Sequence, residues 1–326
     1  MGGRYHLPHD LWATWDSISK PEGLRVENLR DDCRQGVAIA GGACPPSQSV
    51  QIHTVFSIDD SPYMRWQADL LAYSHKKVNQ PGPLTRLYSG WRIPPPFDGQ
   101  TFHTIPYCPH PISGDHYPPY NRIMALLQWL RQSPPTEETI LLLDPDCIFV
   151  TAYHSRSTVG RPVAQSIGYM CPTTARGAEL LKRHGFKPES LQPIGIPILI
   201  HRDDLRVLLP RWQEHTEAIR NDLVSRDLAS WTAEMWGYVF ASAELGLRHE
   251  LRELAHSQMD DRSDLPFIHY CYSSSNAQGQ WEWTKRTYKP WASVTEPPND
   301  TSQATVTLIS LLNEFAKTHK NMLFNQ

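Results

Sequence analysis

The chain has 326 residues, of which 40% are hydrophobic and 20% charged, and its formal net charge is −3. That balance describes an ordinary globular protein and, with no compensating Lys/Arg cluster, leaves no electrostatic footprint for DNA or RNA. No apolar stretch approaches the roughly 18 residues of a membrane span, so neither a nucleic-acid partner nor a membrane span is expected.

Residues 1–49 show no sustained periodicity and close on the turn-forming "AIAGGACPPSQS", which predicts an N-terminal extension. The start has no hydrophobic signal core, and Met1-Gly2-Gly3-Arg4 is a poor myristoylation start because residue 6 is His6. A cytoplasmic protein is expected if the chain is complete, and a Golgi or secretory lumen if an N-terminal anchor has been removed. Six scattered cysteines without a CxxC pair are expected to be free, mostly buried thiols.

From residue 50 strands and helices alternate. "VQIHTVFSI" alternates and is rich in β-branched residues, predicting a first strand that ends near Ser57. Ser61 then offers an N-cap and Pro62 a first helical position, with Tyr63, Trp66, Leu70 and Tyr73 at helical spacing. "GPLTRLYSG" and "TFHTIPYC" read as strands on either side of "WRIPPPFDGQ", a loop because three successive prolines exclude both helix and ladder. "NRIMALLQWLRQ" reads as a helix with Ile123, Leu126, Leu127 and Leu130 on one face. "TILLL" follows, apolar on both faces as a central strand under helices requires. "GRPVAQSIGYM" and "PIGIPILIHRDDL" read as further strands, and "LRVLLPRWQEHTEAIRNDL" and "WTAEMWGYVFASAELG" as helices. The alternation predicts one α/β domain over 50–272 with a mostly parallel sheet flanked by helices. Pro, Trp and polar residues dominate 273–303 and "TLISLLNEFAKTH" is amphipathic, so 273–326 is expected to be a loop and helix packed on that domain.

The apolar strand runs into Asp144-Pro145-Asp146. Burying a lone carboxylate costs several kcal/mol or shifts its pKa, so the pair marks either a strand-end turn or a ligand site. Ligands of open α/β sheets collect beyond the carboxyl ends of the strands, where these residues fall. Two hard oxygen ligands suit Mg²⁺ or Mn²⁺ bridged to a diphosphate, whose charge on departure such an ion stabilises. Aspartyl phosphatases also carry Asp-x-Asp after an apolar strand, but Cys147 and Ile148 do not continue their motif.

"HTVFSIDDSPYMRWQADLLAYSHKKVNQPGPLTRLYSG" resembles the opening of the catalytic domain of plant and algal hydroxyproline O-arabinosyltransferases, and of the related peptidyl serine α-galactosyltransferases. The likeness continues in order through "SGDHYPPYNRIMALLQWL", "ILLLDPDCIF", "PIGIPILIHRDDL", "TAEMWGYVFASAELGLRH" and "FIHYCY", covering about 50–290. The resemblance implies a GT-A glycosyltransferase: one Rossmann-like domain, a metal-binding Asp-x-Asp and a UDP-sugar donor. By the same resemblance arabinofuranose or galactose is transferred with retention to hydroxyproline or serine of a peptide. Asp146 would bind the metal, Asp144 the ribose or the metal through water, and His269 would complete the metal shell. An imidazole ligand favours Mn²⁺ over Mg²⁺.

Other positions carry two readings each. Thr54, Phe56 and Ser57 end the first strand, where uridine would sit, or are simple strand-end residues. Asn121 and Arg122 open a helix and suit a phosphate or sugar hydroxyl, preceded by Asp115 and Tyr117 in the matched "GDHYP" phrase. Arg86 is a donor contact or a salt-bridge partner. Lys285 and Lys289 hold the diphosphate under a closing loop or are solvated. Glu234 orients the acceptor or the sugar, or sits in a structural ion pair. Trp281 and Trp283 shape an acceptor groove or pin the tail to the core. Gly195-Ile196-Pro197 stands where relatives commonly have Gly-Asn-Ser-Pro, which makes Ile196 an acceptor-side residue and leaves the acceptor's identity open. No unambiguous base is present, and a retaining front-face transfer needs little beyond the metal, the donor's own phosphate and a held acceptor. The competing readings are a catalytically inactive lectin-like or scaffold member of the fold, and a sugar nucleotidyltransferase, although "SIDDSP" offers no Gly-rich phosphate loop.

Overall fold

Strand β1 (Ile52–Asp59) is buried without interruption from Ile52 to Phe56, as its β-branched and apolar run requires. The computed structural model that shows this describes residues 51–324, with side chains through 318. The expected N-terminal extension, the start-of-chain motif, Cys33 and Cys44 lie outside the described residues. Helix α1 (Pro62–Lys77) begins as predicted: Ser61 Oγ accepts the Met64 N–H at 3.2 Å, Pro62 takes the first turn, and His75, Lys76 and Lys77 close the last.

Strands β2 (Leu84–Ser89) and β3 (Gln100–Thr104) follow parallel to β1. Then come α2 (Tyr120–Gln132), β4 (Thr139–Leu143), β5 (Cys147–Phe149), β6 (Val163–Ser166), α3 (Ala175–Arg183), β7 (Ile194–His201), α4 (Arg202–Asn221), α5 (Leu223–Ala229) and α6 (Ala233–Glu244). Short strands β8 (Glu250–Arg252), β9 (Ala255–Ser257) and β10 (Phe267–His269) precede the closing helix α7 (Gln303–Phe324). The main sheet has the order β3-β2-β1-β4-β7-β6-β8. Its β3-β2-β1-β4 half is parallel, β7 runs antiparallel to β4 and β6, and β8 is parallel to β6. The fold is thus the α/β architecture with a mostly parallel sheet that the alternating pattern predicts.

Three local departures have physical causes. "TILLL" does end at Leu143, but the chain resumes at once: Asp144 and Pro145 turn it, the Cys147 N–H bonds Asp144 O at 3.1 Å, and β5 joins a second sheet, β5-β10-β9. The strand "PIGIPILIHRDDL" stops at His201, whose Nδ1 accepts the Asp203 N–H at 3.2 Å and so caps α4. Helix α3 is too short to announce itself by periodicity, and is started by Thr174, which accepts the Gly177 N–H at 3.1 Å.

Two regions of core hold the site's walls. Helices α4 and α6 meet at Gly237, where a Cβ would collide with Thr216 Oγ1, and the Trp212 Nε1–H donates to Glu234 O at 2.7 Å. On the other side, Trp66 and Leu70 of α1 pack with Ile148 and Ile268 of the small sheet, with Tyr270 just after β10, and with Leu308, Ile309 and Leu312 of α7. The four described cysteines are free, but only Cys147 is buried, fewer than expected.

Candidate active site

A cavity of about 880 Å³ opens at the carboxyl ends of β1 and β4. Its walls come from distant parts of the chain: Ser57 and Asp59 of β1, Arg122 of α2, Asp144 and Asp146, Ile196 of β7, Glu234 of α6, and His269 and Lys285. Five carboxylates (Asp59, Asp144, Asp146, Glu234, Asp260) face it, against three permanently cationic side chains (Arg122, Lys285, Arg286). An anionic diphosphate entering such a site needs added positive charge, which is an argument for a divalent ion.

The register of β5 against β10 builds the centre. Cys147 lies opposite His269, and the Tyr270 N–H donates to Asp146 O at 3.0 Å. His269 Nε2 consequently sits 3.2 Å from Asp146 Oδ1 and 3.7 Å from Asp144 Oδ2. The ligand atoms of Asp146, Cys147 and His269 lie within 4.8 Å of one another, a group of metal-capable side chains among the described residues. Lys285 Nζ donates to Asp146 Oδ2. Arg122 is ion-paired with Asp144, and its Nη1 lies 3.4 Å from Glu234 Oε1. The Asp144 oxygen in that pair is Oδ1, so the guanidinium is the partner of this buried atom. Two carboxylates and an imidazole that converge here, with Cys147 beside them, are a donor set that fits a Mn²⁺- or Mg²⁺-like ion.

The charges are held firmly. Burial pushes the Asp146 carboxyl up, but His269 and Lys285 together outweigh it and keep the group well below the ordinary carboxylate range. Burial lowers Lys285, and Asp146 more than restores it, so the ammonium is fixed in its charged form. Burial raises Glu234, partly offset by Arg122, and raises the Cys147 thiol far above its usual value.

The remaining predicted residues divide. Ser57, Asn121, Arg122, Asp144, Asp146, Ile196, Glu234, His269 and Lys285 all line the cavity, although Asn121 Oδ1 is already engaged by the N–H groups of Tyr107 and Cys108 at 2.7 and 2.9 Å. Thr54, Phe56 and Arg86 are buried outside its lining. Arg86 donates to Pro95 O at 2.7 Å and to Thr101 Oγ1 at 3.0 Å, and its guanidinium lies 4.5 Å from the Phe97 ring centre. Asp115 is paired with Arg220 at 2.7 Å. The Tyr117 hydroxyl donates to Trp231 O and accepts the Glu234 N–H, at 2.8 and 3.0 Å. Trp283 is only 5% exposed among core residues, Trp281 Nε1 donates to Thr295 O at 3.1 Å, and Lys289 is exposed away from the lining.

Sequence reasoning passed over Asp59, Asp260, Tyr169 and Trp231, which also line the cavity. Asp59 was open to the same strand-end argument as Asp144, since it closes β1. Tyr169 and Trp231 lie on short 3₁₀ turns that carry no periodic signal.

Residues 52–251 match the family described as "Hydroxyproline O-arabinosyltransferase family N-terminal domain". Among similar proteins, a peptidyl serine alpha-galactosyltransferase of Arabidopsis thaliana is 31% identical over 262 residues, 72% of this chain. The chain spans only 31% of that relative's length. Hydroxyproline O-arabinosyltransferase 3 of the same plant is 28% identical over 302 residues, 84% of this chain and 83% of the relative. Among solved structures, the bifunctional glycosyltransferase WbbM superposes with a TM-score of 0.45 at 11% identity, covering 85% of this chain and 53% of that one.

Proposed function

The chain belongs to the hydroxyproline O-arabinosyltransferase family, and from that membership and its cavity we propose a metal-dependent, retaining glycosyltransferase that moves arabinofuranose or galactose from a UDP-sugar to a hydroxyl of a peptide, hydroxyproline or serine. One observation carries the reading: Asp144, Asp146 and His269 converge beyond the central strand, in a cavity that also presents Arg122 and Lys285.

Asp146 and His269 would hold the ion, with Asp144 beside them. When bound, the ion supplies charge stabilisation for the leaving diphosphate. This chain's own residues do the rest. Lys285 and Arg122 bring fixed positive charge to the diphosphate and the sugar. Arg122 also holds Glu234 at 3.4 Å, so the buried carboxylate has a set orientation toward the sugar or acceptor hydroxyl. The apolar rim at Ile194, Ile196 and Ile198 keeps water from the reacting face. Ser57 and Asp59, at the end of β1, are the groups on hand for the uridine.

UDP with Mn²⁺ is expected to raise the melting temperature, because a ligand that binds only the native state stabilises it by mass action, and GDP or ADP to raise it much less. Release of UDP from a panel of UDP-sugars then identifies the donor. Equal shifts from all three nucleotides remove the uridine assignment. No hydrolysis and no nucleotide binding favour the scaffold reading instead.

A further inference from the structure

Trp231 is 65% exposed and Tyr169 is 51% exposed, and their rings pack 5.5 Å apart on the cavity wall. A large aromatic side chain left in water is ordinarily a mobile surface residue. Trp231 is instead held. Its carbonyl accepts the Tyr117 hydroxyl at 2.8 Å, and that hydroxyl accepts the N–H of buried Glu234 at 3.0 Å. The next residue, Thr232, is tied to Ala229 O through its hydroxyl. The preceding residue, Ser230, has φ of 52°, a left-handed conformation uncommon for a non-glycine residue and concentrated at functional sites. The backbone is therefore strained and fastened while the ring it carries stays uncovered.

The surroundings say what covers it. Trp231, Pro118 and Pro119 line both the main cavity and an adjoining depression of about 710 Å³, which continues outward past His116 and Arg226. Asp144, Asp146 and His269 line only the first. Trp231 thus stands at the junction between the reacting centre and an outward path whose near wall is rings and prolines, and which His116, Arg220, Arg226 and Asp227 also line.

We propose that Trp231 and Tyr169 are the acceptor platform, stacking against a proline-rich stretch of peptide that runs in extended left-handed form from the cavity over Pro118–Pro119. The inference rests on the glycosyltransferase reading above. A proline-rich chain has few N–H donors to satisfy, makes no internal hydrogen bonds and is already extended when free, so it loses little entropy on such a wall. With three residues per turn, every third ring faces the same side, and the hydroxyl-bearing residue beyond Trp231 is carried toward Glu234 and Arg122.

The test is calorimetric titration of the protein, saturated with Mn²⁺ and UDP, with an unglycosylated peptide alternating proline and hydroxyproline, and with a glycine-serine peptide of equal length. The proline peptide is expected to bind and the glycine-serine peptide not. Trp231→Ala should weaken binding about tenfold, the range of a lost aromatic stacking contact, Tyr169→Ala several-fold, and Trp231→Phe much less. UDP affinity measured on each variant separates a local effect from loss of fold. Equal affinity for the two peptides, or wild-type affinity in Trp231→Ala, overturns the platform. Absence of UDP binding in the wild type overturns the parent reading instead, while the same peptide titration without nucleotide still decides the platform.

Discussion

His269 Nε2 stands 3.2 Å from Asp146 Oδ1 across 123 residues of sequence, because Phe267–His269 pairs antiparallel with Cys147–Phe149. The metal-binding proposal depends on that pairing. If both side chains serve one ion, Asp146→Ala and His269→Ala should each lower kcat about 10²–10³-fold, the usual cost of losing a transition-state charge stabiliser. The double variant should be little worse than the poorer single one, since the two act as a unit. Asp144→Ala should hurt less and mainly through donor affinity. Steady-state kinetics with added Mn²⁺ decides: full activity in Asp146→Ala reduces the pair to a turn.

Lys285 already occupies the position of a counter-ion, donating to Asp146 Oδ2. A metal must compete with that ammonium for the carboxylate. Lys285→Ala should therefore bind Mn²⁺ more tightly in the absence of nucleotide, by roughly ten- to a hundredfold, from the ~1.5–3 kcal/mol of a hydrogen bond to a charged group. The same variant should bind UDP more weakly, because a diphosphate contact is lost. Calorimetry with each ligand separately reads both signs. Weaker Mn²⁺ binding in the variant would show that Lys285 supports the ion rather than competing with it.

Much of this arrangement was legible beforehand. The β1–α1 unit, with Ser61 and Pro62 at the helix start, and the central strand ending at Leu143 are local patterns, and local patterns survive folding. The gathering of Asp144, Asp146 and His269 was readable only through resemblance, because strand register sets it and no sequence spacing encodes register. The C-terminal loop was ambiguous for a different reason. A tryptophan's preference for burial and its use in stacking look alike in sequence, and Trp283 packs inward while Trp231, on a pinned turn, stays outside. Arg86 follows the same lesson, a lone charge in a strand that is buried against Phe97 and Thr101 away from the cavity.

Part of the acid sensitivity comes from histidines outside the site, of which His75 and His249 are lowered furthest, with His53 and His184 lowered in the same direction. Burial lowers His75 from an ordinary 6.5 to about 4 and His249 to about 3. Below pH 6.5 the unfolded chain takes up protons at these positions while the folded one does not, so stability falls as pH drops. It levels once the folded pKa values are passed, and above pH 6.5 neither group matters. Each contributes up to ~1.4 kcal/mol per pH unit within its window. The melting temperature should be flat with respect to these two groups above pH 7 and decline from pH 6.5 to 4. In His75→Phe, which keeps an aromatic edge toward Phe149, the decline should be shallower. The lowered Asp146 acts only below the carboxylate range, while Asp69, raised to about 6 by burial, opposes the histidines within this window, so the histidine contribution is read as the difference between His75→Phe and the wild type. An unchanged slope in His75→Phe removes that histidine from the account.

Trp283 supplies the last expectation. It is 5% exposed and packs against Tyr270 and Tyr288 in the cluster that joins α1, the small sheet and α7. Truncating a buried tryptophan removes its transfer free energy and leaves a cavity, together about 3–5 kcal/mol. The loss falls on the same cluster that seats Ile148 and Ile268, the neighbours of Cys147 and His269 in β5 and β10. Trp283→Ala should therefore lower the melting temperature sharply and reduce the affinity for Mn²⁺ as the strand pair loosens. In the fraction that remains folded, acceptor KM should change little, in contrast with Trp231→Ala. A variant with a near-native melting temperature and a raised acceptor KM would instead put Trp283 in contact with the peptide.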